Sequence, residues 1–196
     1  MVEARQILRR VPSDRPLTSL QHLKVQSFVL FAHSALEEYL ENVGWKVALE
    51  ARSALLHEGR ITHALVALVA SKVMDDISNR NRRRITSDLI SNLEIFSAEA
   101  VTRYRSIIGN NNGITERDQK NILFPIGVDP EKTDIALMNN LNSFGRDRGN
   151  IAHSFLPIRT EVTISAINSR IDDILRDIVK FDEAACSTLQ RSMPLA

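Results

Sequence analysis

Apolar residues recur at intervals of three and four positions along most of this chain, which is the spacing of one face of an α-helix. Polar and charged residues occupy the positions between them. The clearest run lies near the C-terminus, at Ile164, Ile167, Ile171, Ile174, Ile178 and Phe181. It predicts a long amphipathic helix that packs this apolar seam against the rest of the protein.

The N-terminal half shows the same period from residue 18 to residue 73. Thr18 and Gln21 have the spacing of a capping box, which predicts that a helix begins there. The apolar stripe of this helix includes Leu23, Leu30, Leu36, Leu40 and Val43. Residues 45–56 and 61–73 predict two more helices, and Gly59 is the stop signal between them.

Helix signals continue after the basic segment "NRNRRR", residues 79–84. Thr86 or Ser87 can cap a helix whose apolar residues run from Leu89 to Tyr104. The cluster "GNNNG" then predicts a turn.

Two more helix starts follow the turn. Thr115 and Asp118 form a capping pair for a short helix that breaks within "FPIG". Asp129 and Pro130 have the residue types of an N-cap and a first helical position, so they predict a helix that continues through residues 137–144.

The pattern as a whole predicts an all-α protein. No run of alternating apolar and polar residues is bounded by hairpin turns, and we assign residues 160–164 to the last helix. The length suits one hydrophobic core, so we expect a single helical domain over 1–196, with 1–16 as a flexible N-terminal segment. Its long N-terminal and C-terminal helices predict an elongated bundle.

The charge balance and the cysteine content indicate a cellular compartment, but they do not identify a binding partner. The 25 Lys and Arg residues against 24 Asp and Glu give a net charge of +1, so attraction to an anionic partner must come from local clusters. A single cysteine, Cys186, excludes an intrachain disulfide and suits a reducing compartment. No segment resembles a membrane span or a signal peptide, and we expect the protein in the cytoplasm, without a membrane partner.

Two clusters of charge have both a chemical and a structural interpretation. Four arginines between predicted helices could contact an RNA backbone or simply remain solvated: Arg80, Arg82, Arg83 and Arg84. In "HSALEEYLE", Glu37 and Glu38 are possible accessory acids, or they solvate the outer face of a helix. His33 precedes Glu37 by four residues, so these two can meet on one helix face.

The densest group of polar residues is "RDRGNIAH", residues 146–153. On an ideal helix Arg146, Asn150 and His153 form one stripe, whereas Arg148 points to the side. Gly149 weakens the prediction of an unbroken helix, because glycine is a poor helix former. Spacing alone therefore favours Arg146 as the partner of the histidine. The sequence contains no Walker A loop, dinucleotide-binding glycine motif, HExxH motif or nucleophile elbow.

The segment from Arg148 to His153, "RGNIAH", resembles the R-x4-6-H motif of the HEPN superfamily of all-α domains, many of which are RNases of bacterial defence and toxin systems. Residues 121–155 and the "S-x-L-E-E-Y-L" segment are most similar to its RiboL-PSP-HEPN branch. The resemblance implies that Arg148 and His153 are catalytic, with Asn150 and Arg146 in supporting or orienting roles. It also implies a homodimer in which two motifs face each other across a two-fold axis.

The activity that the resemblance implies is cleavage of RNA without a metal or other cofactor. His153 would transfer a proton and Arg148 would bind the phosphate, leaving a 2',3'-cyclic phosphate and a 5'-hydroxyl. Two alternatives remain open: a non-catalytic HEPN-like subunit that binds RNA or a partner protein, and a plain helical assembly module. An antitoxin or sensor subunit is a further expected partner. Phe155 stands where some HEPN toxins have a modified tyrosine, which argues against that form of control here.

Overall fold

The computed structural model describes residues 2–12, 17–77, 87, 89, 92–152 and 163–190, and these residues contain helices and no strand. The all-α prediction is confirmed. The helices are α1 (Val2–Arg5), α2 (Ser19–Glu58), α3 (His63–Ile77), α4 (Leu93–Gly109), α5 (Glu116–Leu123), α6 (Ile135–Ala152) and α7 (Ile164–Gln190). Two 3₁₀ turns, Gln6–Leu8 and Phe124–Ile126, follow α1 and α5.

Helix α2 is one continuous helix of 40 residues, about 60 Å long at 1.5 Å per residue. The capping box of Thr18 and Gln21 is present at its start, and Gly59 ends it in the left-handed conformation at φ 62°. The prediction of two separate helices in residues 18–56 was wrong. Gly44, the only helix breaker near the expected junction, is instead buried inside α2 beneath the ring of Tyr104.

Helices α3 and α4 begin at polar caps. The Thr62 hydroxyl accepts a hydrogen bond from the Leu65 N–H at 3.1 Å, and the Asn92 side chain accepts one from the Ile95 N–H at 3.1 Å. The predicted cap at Thr86 lies outside the described residues, and the alternative cap, Ser87, is itself helical. The prediction of one helix from there to Tyr104 was wrong, because the backbone of Asn92 is not helical (φ −158°, ψ 82°) and a new helix begins after it. Helix α4 ends at Gly109, the first residue of the predicted turn.

Helix α6 begins later than the sequence predicts. The Asp129 carboxylate accepts a hydrogen bond from the Glu131 N–H at 3.0 Å, so Asp129 and Pro130 form a turn that competes with helix formation. The cap is Asp134, whose Oδ1 accepts from the Leu137 N–H at 2.8 Å. The predicted start at Asp129 was therefore wrong, whereas the start of α5 at Thr115 is confirmed.

The core is continuous from Leu8 to Ala185, and α2 lies at its centre, in contact with each of the helices α3 to α7. Helix α7 contributes the predicted seam: Ile167, Ile171, Ile174 and Phe181 are buried. Among the described residues, no helix is both long enough and apolar enough to cross a membrane.

Candidate active site

Helix α6 carries the polar stretch and remains helical through Gly149 to its end at Ala152. Successive residues of a helix are rotated by about 100°, so Arg146 and Asn150 lie on one side and Arg148 points in nearly the opposite direction. His153 follows the last residue of α6 and lies outside the described residues.

Two glycines of this stretch have different surroundings. A Cβ on Gly145 would lie 3.1 Å from the Thr115 backbone nitrogen and 3.2 Å from its Cγ2, so the absent side chain lets α6 approach the start of α5 closely. Among the described residues, no atom outside the neighbouring backbone of α6 lies within 4 Å of the place where a Cβ of Gly149 would stand. Gly149 stays helical, so α6 is unbroken at this position although glycine is a poor helix former.

His33 is a buried histidine of α2 that packs against α6. Its side chain is 0% exposed, and its ring stacks on the ring of Phe144 with 6.4 Å between the centroids. Neither ring nitrogen has a hydrogen-bond partner within the described part of the chain. The Oε2 atom of Glu37 lies 3.6 Å from Nδ1 of His33. The two residues meet on one helix face, as their spacing predicts.

The charge of Arg148 acts on this face of α2. Burial, reinforced by the Arg148 charge, lowers the pKa of His33 to about 4, although Asp118 acts in the opposite direction. The imidazole is therefore neutral at neutral pH. Burial and the neighbouring Glu41 carboxylate raise the pKa of Glu37, and Arg148 opposes this increase. The guanidinium of Arg148 is thus within electrostatic reach of both residues.

The loop between α4 and α5 completes this cluster. The Asn111 amide donates hydrogen bonds to Glu41 Oε1 and to the Gly113 carbonyl, both at 2.9 Å, and approaches Glu37 Oε1 to 3.4 Å. The backbone N–H and hydroxyl of Thr115 donate to Asp118 Oδ2 at 2.9 and 2.6 Å. We call the set His33, Glu37, Glu41, Asn111, Asp118 and Arg148 the α2–α6 cluster.

The cluster combines a neutral imidazole, three carboxyl groups and a guanidinium. A guanidinium can bind a phosphate through two parallel hydrogen bonds, and a carboxyl group with a raised pKa can donate a proton near neutral pH. Across the described residues, no group of His, Cys, Asp or Glu side chains has the arrangement of a metal site.

Arg146 lies in a different place, a groove of about 610 Å³ between α5 and α6. Its lining residues are Thr115, Glu116, Arg117, Lys120, Asn121, Asn142 and Arg146. Three of them are cationic and one is acidic, and the acid Glu116 is paired with Lys120 at 2.8 Å. This surface, which we call the α5–α6 groove, suits a strand of phosphates.

The structure brings only some of the predicted residues together. Arg148 and Glu37 share the α2–α6 cluster, whereas Glu38 is exposed to solvent and Asn150 is exposed on α6. His153 and the arginines at positions 80, 82, 83 and 84 lie outside the described residues.

Sequence reasoning missed two members of the cluster. Asn111 belongs to a segment interpreted only as a turn, and Asp118 to one interpreted only as a cap. Neither carries a sequence signal for a site, because the contacts that place it there join residues far apart in the chain. His33 had a partial signal, its spacing from Glu37.

The model of one protein family, described as RiboL-PSP-HEPN, matches residues 9–187. No curated protein and no solved structure was found to be similar to the chain.

Proposed function

The chain belongs to the RiboL-PSP-HEPN family, a family of HEPN-type domains, and on this premise we propose that it is a metal-independent endoribonuclease. One observation supports the proposal most. Arg148, the arginine of the motif, acts electrostatically on a buried neutral histidine and on a carboxyl group with a raised pKa. An arginine that only solvated a helix would have no such surroundings.

Arg148 and His153 divide the chemistry of cleavage. The guanidinium stays charged at all physiological pH values and stabilises the negative charge that develops on the phosphorane. The His153 imidazole removes the proton of the 2'-hydroxyl, which then attacks phosphorus. Asn150 orients the substrate or the histidine.

The α5–α6 groove supports the binding of an RNA strand. Arg146 and Arg117 are exposed there and can contact phosphates on either side of the cleaved bond. These contacts carry no base specificity, so they suit a nuclease that recognises the backbone. In this proposal Arg146 binds RNA, and Arg148 takes part in the reaction.

The biological setting follows from the same proposal. A homodimer would bring two copies of the motif together across a two-fold axis. The chain would act on RNA in the cytoplasm as a toxin or effector of a toxin-antitoxin or anti-phage system, held inactive by an antitoxin or triggered by a sensor subunit.

The test is cleavage of RNA in EDTA by the wild-type protein and three variants. We expect His153→Ala and Arg148→Ala each to lose at least about 100-fold in rate, the usual contribution of a proton-transfer group and of a group that stabilises transition-state charge. Arg146→Ala should raise KM more than it lowers kcat, because it removes a phosphate contact that is made before and during the reaction.

Equal cleavage by the wild type and His153→Ala would rule the proposal out. RNA binding without cleavage, in the isolated protein and after addition of the products of neighbouring genes, would favour the non-catalytic RNA-binding subunit.

A further inference from the structure

Glu37 is the member of the α2–α6 cluster whose surroundings suit proton donation. Its side chain is 16% exposed, so it is largely desolvated but still within reach of a substrate. Glu41 and His33 flank it on α2, Arg148 acts on it from α6 and Asp118 from α5, and Asn111 approaches it from the loop before α5.

We propose that Glu37 is a catalytic residue, the general acid that protonates the leaving 5'-oxygen during RNA cleavage. This inference rests on the proposed function and assigns to the same chain the second proton-transfer group that the reaction needs. His153 and Glu37 would then act as base and acid, and the histidine of a second protomer would not be required as the acid.

The raised pKa of Glu37 supports this role, because a donor must hold its proton when the substrate is bound. Burial and the Glu41 carboxylate are its two main causes. Glu41 is less suited to the role, since its carboxylate accepts the closer hydrogen bond from Asn111, at 2.9 Å against 3.4 Å for Glu37. Glu38 is exposed and outside the cluster.

The unpartnered ring of His33 is an independent sign of a site. A buried polar group without a hydrogen bond is costly to the fold, so its presence calls for an explanation. The Nδ1 of His33 lies 3.6 Å from Glu37 Oε2, slightly beyond hydrogen-bond distance. A small movement of the Glu37 side chain would form the bond, so a neutral His33 can hold the glutamate in place while the substrate binds.

The proposed step balances within the substrate and two side chains. The 2'-oxygen forms a bond to phosphorus as His153 takes its proton, and the bond from phosphorus to the 5'-oxygen breaks as the Glu37 carboxyl proton moves to that oxygen. The products are a 2',3'-cyclic phosphate and a 5'-hydroxyl. Arg148 stabilises the charge on the non-bridging oxygens.

The test compares Glu37→Gln with Glu38→Gln on two substrates, an ordinary RNA and one with sulfur in place of the 5'-bridging oxygen at the cleaved bond. Sulfur leaves without protonation, so it removes the need for an acid. We expect the cleavage rate of Glu37→Gln on ordinary RNA to be at least about 100-fold lower than that of the wild type. On the sulfur substrate the two rates should be nearly equal. Glu38→Gln should match the wild type on both substrates.

The pH profile gives a second measurement. The acid must be protonated, so the rate of the wild type on ordinary RNA should decrease at high pH. The pH profile of Glu37→Gln should not show this decrease. In Glu41→Gln the pKa of Glu37 should decrease, because a like charge is removed, and the fall should move to lower pH. A purely structural Glu37 would produce neither change.

Two results would overturn the inference. One is that Glu37→Gln lowers the cleavage rate by the same factor on both substrates; the other is that Glu37→Gln and Glu38→Gln cleave ordinary RNA at the same rate. Failure of the proposed function is distinguishable, since His153→Ala would then have no effect on cleavage of ordinary RNA. If His153→Ala abolishes cleavage while Glu37→Gln retains it, the nuclease stands, and the acid is another group, such as the partner's histidine.

Discussion

His33 is a histidine that burial and a nearby guanidinium keep neutral. Its pKa of about 4 means that almost no imidazolium exists at neutral pH. The ring therefore stacks on Phe144 without bringing a second positive charge next to Arg148. The charge of Arg148 remains available to a phosphate, and the neutral ring offers Glu37 a partner that does not lower its pKa by charge.

The influence of Arg148 on His33 can be measured by NMR titration of the imidazole. In the wild type we expect a pKa of about 4. In Arg148→Gln the pKa of His33 should rise, because loss of the positive charge makes the imidazolium less unfavourable. Burial should still hold this pKa below about 6.5, the usual value for histidine. Arg146→Gln is the matched control and should leave it unchanged. A wild-type His33 that titrates near its usual value would contradict this description of the cluster.

Among the helices, α6 shows how one element can serve two surfaces. Its unbroken course separates Arg148, which acts on α2, from Arg146, which lines the α5–α6 groove. Spacing along the sequence favoured Arg146 as the motif arginine because Arg146, Asn150 and His153 form one stripe. Spacing could not reveal which side of α6 meets α2, since that depends on contacts between residues more than 100 positions apart.

The helical glycines at positions 44 and 149 provide a matched pair for stability. A Cβ on Gly44 would lie 2.2 Å from the hydroxyl oxygen of Tyr104, which donates a hydrogen bond to the Ile122 carbonyl at 2.9 Å. We expect Gly44→Ala to lower the free energy of unfolding by about 2 kcal/mol or more, through overpacking and loss of this bond. Gly149→Ala should raise the free energy of unfolding by up to about 1 kcal/mol, since alanine is the better helix former and none of the described residues outside α6 lies within 4 Å of the added Cβ.

Urea unfolding of the two variants and the wild type checks this prediction. Gly44 lies in the middle of α2 and Gly149 three residues before the end of α6, so helix propensity alone would favour Gly44→Ala at least as much as Gly149→Ala. A lower stability of Gly44→Ala therefore reports the overpacking and the lost hydrogen bond of Tyr104. Equal stability of Gly44→Ala and Gly149→Ala would mean that Tyr104 moves aside without cost.

At the scale of the whole molecule, α2 joins the core to the candidate site. Leu36 and Leu40 of its predicted apolar stripe are buried among the other helices, whereas Leu23 is exposed. The stripe of His33, Glu37 and Glu41 faces α6 and the loop before α5. The backbone that carries the site is therefore held by the same contacts that stabilise the fold.

Dimerisation is the prediction that belongs to this scale. If two motifs must face each other, the cleavage rate per chain should rise with protein concentration and level off where light scattering shows a complete dimer. Glu38→Gln, changed at an exposed position, should follow the same curve. A rate per chain that stays constant down to concentrations at which the protein is monomeric would show that one chain suffices.

The sequence by itself determined the helical content, several helix ends and the motif, because the signals for these are local. The caps at Thr18 and Thr115 and the stop at Gly59 depend on hydrogen bonds and backbone angles within a few residues, and apolar periodicity identified the seam of α7. The prediction of a helix start at Asp129 was wrong because a side chain that can cap a helix can equally close a turn. The sequence does not show which of the two conformations is more stable.

Only the tertiary structure decided how these elements meet. It showed that Gly44 lies inside a single helix under Tyr104, and that Arg148 rather than Arg146 acts on Glu37. The pKa values of His33 and Glu37 follow from burial and from charges on other helices, which are properties of packing. Long-range packing has no local signature, so the residues of a site can be proposed from the sequence, while their environment must come from the fold.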